Sequence, residues 1–148
     1  MRWIRATIAV ALCLFAVACS PAKPPAGRWE GTYETSDTMI AVRLEIAADG
    51  SVYLSAPDAM NFGADADPDA LHQRLAAELA EKWSDVQPRK FDFDGKTFRK
   101  PGGFAPQMEW DPATRRMTVI IYLERRPGIR VPLHAVRDFG ADPWPTTS

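Results

Sequence analysis

Ile40, Val42, Leu44 and Ile46 alternate with Ala41, Arg43 and Glu45. Successive side chains of a strand point to opposite faces, so this stretch is a strand with one apolar face that another layer must cover. The segment before it follows the same rule. Trp29, Gly31 and Tyr33 alternate with Arg28, Glu30, Thr32 and Glu34. After the turn Ala47-Ala-Asp-Gly50, Val52 and Leu54 continue the pattern, which gives a three-stranded antiparallel start.

The period then changes. Asp67-Pro68-Asp69 has the form of a helix start, with Asp67 as N-cap and Pro68 at the first helical position. Leu71, Leu75, Leu79 and Trp83 recur at i+4, with Arg74, Glu78 and Lys82 along another side, so an amphipathic helix to about Asp85 is expected. Strands return after Pro88. Asp94-Gly95 predicts a two-residue hairpin turn that places Phe91 opposite Phe98, Lys90 opposite Arg99 and Arg89 opposite Lys100. Further strands are expected around Met108 and Trp110, from Met117 to Glu124, and from Ile129 to Arg137. The Val119–Leu123 run is apolar on both faces, and the helix is the economical cover for its second side. The expected fold is mainly β (α+β). It is an antiparallel meander of about eight strands, a small barrel or strongly curved sheet, with one helix inserted after the third strand. Residues 139–148 read as an irregular tail holding Phe139 and Trp144.

The N-terminus reads as an export signal. Arg2 and Arg5 form a basic start, and Ala6 to Ala18 is a run of 13 residues in which only Thr7 is polar. A helix of that length spans about 20 Å, against ~30 Å for a hydrocarbon core, so a transmembrane anchor is not expected. Ala16-Val17-Ala18-Cys19 resembles the lipobox of bacterial lipoproteins, departing from it at Ala16, where Leu is commoner. The resemblance implies removal of residues 1–18, acylation of Cys19 and attachment to the membrane through those acyl chains. Ser20 after the Cys implies sorting to the outer membrane, facing the periplasm. Residues 19–26 then form a Pro-rich, semi-rigid tether, and 27–138 form a single β-rich domain.

Cleavage leaves Cys19 as the sole mature cysteine, because Cys13 lies in the removed segment, so no internal disulfide can form. It also removes Arg2 and Arg5, which leaves 16 basic against 19 acidic side chains and a net charge of −3. A mildly acidic domain without a dominant basic field is not expected to bind nucleic acid.

Gly27-Arg28-Trp29 at the head of the first strand resembles the Gly-x-Trp signature of lipocalins and the wider calycin group. In that group the Trp closes one end of an eight-stranded barrel and an Arg from the last strand packs over it. The resemblance implies that Trp29 has this barrel-end role with Arg130, or Arg137, as its partner, and that the barrel holds a cavity for small apolar molecules. The position of the helix departs from the pattern, since lipocalins place theirs after the barrel.

Catalytic chemistry lacks parts. There is no Gly-x-Ser-x-Gly elbow, and His72 and His134 are the only imidazoles, each without an evident partner. Gly95-Lys96-Thr97 imitates the end of a phosphate loop, but the required upstream Gly is Lys90. Asp65, Asp67 and Asp69 alternate as in a calcium loop, but the sixth and twelfth positions are Ala70 and Ala76. No metal or other cofactor is expected. Five strand carboxylates, Glu30, Glu34, Glu45, Glu109 and Glu124, leave a carboxylate-dependent hydrolase as an alternative, although nothing selects a pair. The most suggestive set is basic: Arg89, Lys90, Arg99 and Lys100 gathered at the open end of a hairpin beside Phe91, Phe93 and Phe98. Such a set suits an anionic amphiphile. The expected function is a non-catalytic envelope lipoprotein that binds a lipophilic or amphiphilic ligand. The alternative is a module that docks on another envelope protein through an edge strand or the Phe139–Trp144 tail.

Overall fold

A computed structural model describes residues 22–56, 60–61, 63, 65–124 and 127–144. The export signal, Cys19 and Ser20 lie outside the described residues. Nine strands and one helix follow in the order β1 (Gly27–Glu34), β2 (Thr38–Ile46), β3 (Val52–Ser55), β4 (Met60–Asn61), α1 (Pro68–Trp83), β5 (Asp92–Phe93), β6 (Thr97–Arg99), β7 (Pro106–Asp111), β8 (Arg116–Ile121) and β9 (Ile129–Val136). β4 is two residues long and pairs with β2. The other eight strands form one antiparallel sheet in the order β3-β2-β1-β9-β8-β7-β6-β5. The sheet curls into a half-barrel, and its two margins are pinned by one bridge. Val52 donates to the Arg89 carbonyl at 3.2 Å and Arg89 donates back at 2.7 Å. A bulge between Phe98 and Arg99, where β6 pairs with β7, tightens the curl.

The alternating sets meet on the inner face. Trp29 lies across from Leu44, Gly31 from Val42 and Tyr33 from Ile40. Met117 lies across from Leu133, and Val119 from Val131. Together with Phe98 and Met108 these residues make one continuous core. Gly31 sits where the β1–β9 ladder ends at Glu30–His134. A Cβ there would overlap the Pro132 carbonyl oxygen and press on Leu133. Pro132 lacks an N–H to donate, and it lies beyond the last pair of the β1–β9 ladder.

The helix begins as the sequence predicts. The Asp67 side chain accepts from the Asp69 N–H at 3.1 Å and Pro68 opens the first turn. Its stripe does not cover the Val119–Leu123 run, however. Leu75 and Leu79 pack over the outer face of β2, where Met39 and Ala41 are fully buried, so β2 is the strand covered on both sides. The helix follows β3 and the short β4 in the chain and falls on β2 and β3. The outward Ile120 of β8 is buried locally instead: Gly128 lies against Ile120 and Tyr122, leaving no room for a Cβ.

The hairpin register also differs from the expectation. Phe93, not Phe91, pairs with Phe98, and Asp92 faces Arg99. The loop is Gly95-Lys96 rather than Asp94-Gly95. Asp94 flanks it, and its carboxylate accepts from the N–H groups of Lys96 at 2.9 Å and Thr97 at 2.7 Å. A capping Asp beside a positive-φ Gly fixes the turn one residue later than the Asp-Gly pair alone implies.

The C-terminal segment is docked. Phe139 packs edge-on against Trp83 of the helix with ring centroids 4.6 Å apart. The Arg43 and Arg28 guanidinium groups lie over Phe139 at 5.2 and 5.8 Å. Pro143 is buried, and Trp144 lies on His72 with centroids 4.4 Å apart.

Candidate functional site

The basic hairpin set is not gathered as its expected register requires. Arg89 is held by its backbone to Val52. The Arg99 guanidinium bonds the Asp94 carboxylate at 2.9 Å, the Thr97 hydroxyl and the Phe104 carbonyl at 3.3 Å. Lys90 and Lys100 are exposed. The aromatics do come together, but toward the core. Phe98 is fully buried, with Phe93 at 4.3 Å and Phe91 at 6.5 Å between ring centroids.

Trp29 is 4 % exposed and meets Trp110 edge-on at 6.1 Å. The arginine implied by the calycin resemblance is elsewhere. Arg130 lies on the outer face opposite Ile120 and binds both carboxylate oxygens of Glu109, while the Arg137 side chain is almost wholly exposed. The Arg130 guanidinium holds the Glu109 carboxyl below the usual range.

Four of the five carboxylates are engaged one by one. Glu30 faces Arg43, Glu45 binds Arg28 at 2.9 Å and Glu109 binds Arg130. One oxygen of Glu34 lies 2.9 Å from His72 Nε2 and accepts from the Trp144 indole at 3.3 Å. Glu124 is exposed near the end of β8. Asp67, the middle of the three alternating aspartates, is used by the helix cap.

The apolar side chains of the inner face are buried. Ile40, Val42, Leu44, Phe98, Met108, Met117 and Val119 are each no more than 1 % exposed. Among the described residues, two clefts open outside the core. One, of about 360 Å³, runs between Leu54 and Ala56 at the β3 margin and Lys82, Val86, Gln87 and Arg89. The other, of about 260 Å³, lies among Tyr33, Thr38, Pro127 and Ile129.

Among the described residues, the large hydrophobic side chains left exposed are Phe104, at 98 %, and Tyr122, at 47 %. They belong to neighbouring segments. The Tyr122 hydroxyl donates to the Pro106 carbonyl at 2.8 Å, which ties the end of β8 to the β6–β7 connection that carries Phe104. That connection is itself fixed. Gly103 donates to the Lys100 carbonyl at 2.7 Å, Gly102 takes a positive φ, and Arg99 holds the Phe104 carbonyl. A firmly held turn thus presents a wholly exposed aromatic ring, with Lys100 at its base. Sequence periodicity passes over Phe104, because the residue belongs to no strand face. Its signal is an aromatic set between Gly102-Gly103 and Pro106, where nothing local can bury it.

No family model, curated protein or solved structure matches this chain.

Proposed function

We propose that the protein is a non-catalytic, lipid-anchored module of the bacterial envelope that docks on another envelope protein through the Phe104–Tyr122 tip. Anchoring is through Cys19, on the periplasmic side of the outer membrane. The observation that carries the docking role is the exposure of Phe104 on a hydrogen-bonded turn. A turn whose backbone is already hydrogen-bonded gives up little backbone freedom on binding, a phenylalanine adds only two side-chain torsions, and exposed aromatic rings are common anchors of protein–protein interfaces. The inner-face side chains are buried against one another in one core, which supports an outer surface as the binding element. The Phe139–Trp144 segment, in contrast, is spent on the protein's own helix and β1.

The test is photocrosslinking in intact cells, with a benzophenone-bearing phenylalanine at position 104 and, as a control, at position 96. One discrete protein adduct from position 104, absent from the control, is the expected result. Adducts only with lipid, or none, would remove the docking role.

A further inference from the structure

From the path of the tether we infer that the barrel end bearing the Gly50, Gly95 and Asp111–Arg116 turns rests on the headgroup layer of the membrane, while the Phe104 tip points away from it. The inference rests on the anchoring at Cys19 proposed above.

The tether is seated on the fold. A β-carbon built on Gly95 would lie 3.5 Å from the Ala22 Cβ, and one built on Gly50 would lie 3.8 Å from Pro24 Cγ. Pro24 and Pro25 are half-buried. Residues 22–26 therefore pass between the β2–β3 and β5–β6 turns before entering β1. Only three peptide steps separate Cys19 from Ala22, a reach of at most about 11 Å. Acyl chains on Cys19 would hold this end within that distance of the lipid surface.

The chemistry of this end suits phosphate-bearing headgroups. Its three turn aspartates are occupied within their own turns. Asp49 accepts from the Ser51 N–H at 2.9 Å, Asp94 from Lys96 and Thr97, and Asp111 from the Ala113 N–H at 2.9 Å and the Thr114 hydroxyl at 2.6 Å. Lys23, Lys96, Arg115 and Arg116 are exposed around them. Phe104 lies beyond the opposite end of β7. At ~3.4 Å per residue that six-residue strand sets the tip up to about 20 Å from this end of the sheet.

Acylated mature protein is purified as two variants, Lys96→Cys and Ala105→Cys. Each is labelled with an environment-sensitive fluorophore on its one added thiol and placed in phosphatidylethanolamine–phosphatidylglycerol vesicles carrying a headgroup quencher. The label at 96 should lose most of its emission and the label at 105 should keep it. Equal quenching at the two positions, or stronger quenching at 105, would overturn the orientation. Intact mass of the same samples separates the two layers of the argument: a Cys19 without acyl chains overturns the anchoring and the orientation together, whereas an acylated protein quenched at 105 overturns the orientation alone.

Discussion

Arg43 and Glu30 stand directly across from each other on β2 and β1, with Nε 3.6 Å from Oε2 and side chains 5 % and 7 % exposed. The pair lies on the outer face of the sheet, where the C-terminal segment covers it: Arg43 also donates to the Gly140 carbonyl and lies under Phe139. A buried ion pair offsets its own desolvation only while both partners remain. Arg43→Ala should therefore cost about 3–5 kcal/mol, because it strands the Glu30 carboxylate. Glu30→Leu combined with Arg43→Met should cost much less than Arg43→Ala. Urea denaturation of the three proteins measures this, and a double variant as unstable as the single one would contradict it.

Trp29 and Arg130 differ sharply in what they hold. Trp29→Ala empties a core position and should cost about 3–5 kcal/mol. Arg130→Ala removes a surface pair with Glu109, worth at most about 1 kcal/mol. The intrinsic fluorescence of folded Arg130→Ala should match that of the parent, since Arg130 does not pack on Trp29. A red-shifted spectrum in that variant would restore the barrel-end role that the Gly-x-Trp resemblance implies.

Three hairpin turns at one end of the barrel are each closed by an aspartate held below the usual carboxylate range. For Asp94 the cause is chiefly the Thr97 hydroxyl and N–H, for Asp49 the Ser51 N–H, and for Asp111 the Thr114 hydroxyl. Because folding lowers these values, the unfolded chain binds more protons in the acid range, and stability rises with pH there. The contribution is complete above about pH 5 and is lost as pH falls below ~4 toward the folded-state values. Replacing Asp49, Asp94 and Asp111 together by Asn keeps an acceptor oxygen in each turn but removes the titration. The stability gap between parent and variant should shrink as pH falls from neutral. A gap independent of pH would contradict this account of the turns.

The strands were legible because their faces alternate, and the helix start because Asp67 and Pro68 are local signals. What the sequence hid was set by neighbours distant in the chain. The Asp94-Gly95 pair announces a turn, but the Thr97 hydroxyl and N–H decide which residues flank it, so the expected cation pairing gives way to Asp92 opposite Arg99. Ile120 demands cover, but nothing in its own segment says that Gly128 and Tyr122 supply it rather than the helix. Arg43 reads as the polar side of an amphipathic strand, and becomes buried only because α1 and residues 139–144 fold over β2. Phe104 gave no periodic signal at all, since a turn residue is judged by exposure, which the fold alone determines.

Docking through the Phe104–Tyr122 tip, as proposed above, needs no ligand enclosed by the curled sheet. Native mass spectrometry of the soluble domain, with Cys19→Ala and the export signal exchanged for a secretory one, tests it most directly. A single apo mass, unchanged after incubation with total envelope lipid, is the expected result. A discrete extra mass that is lost on denaturation would contradict it and would identify a cargo held within the barrel.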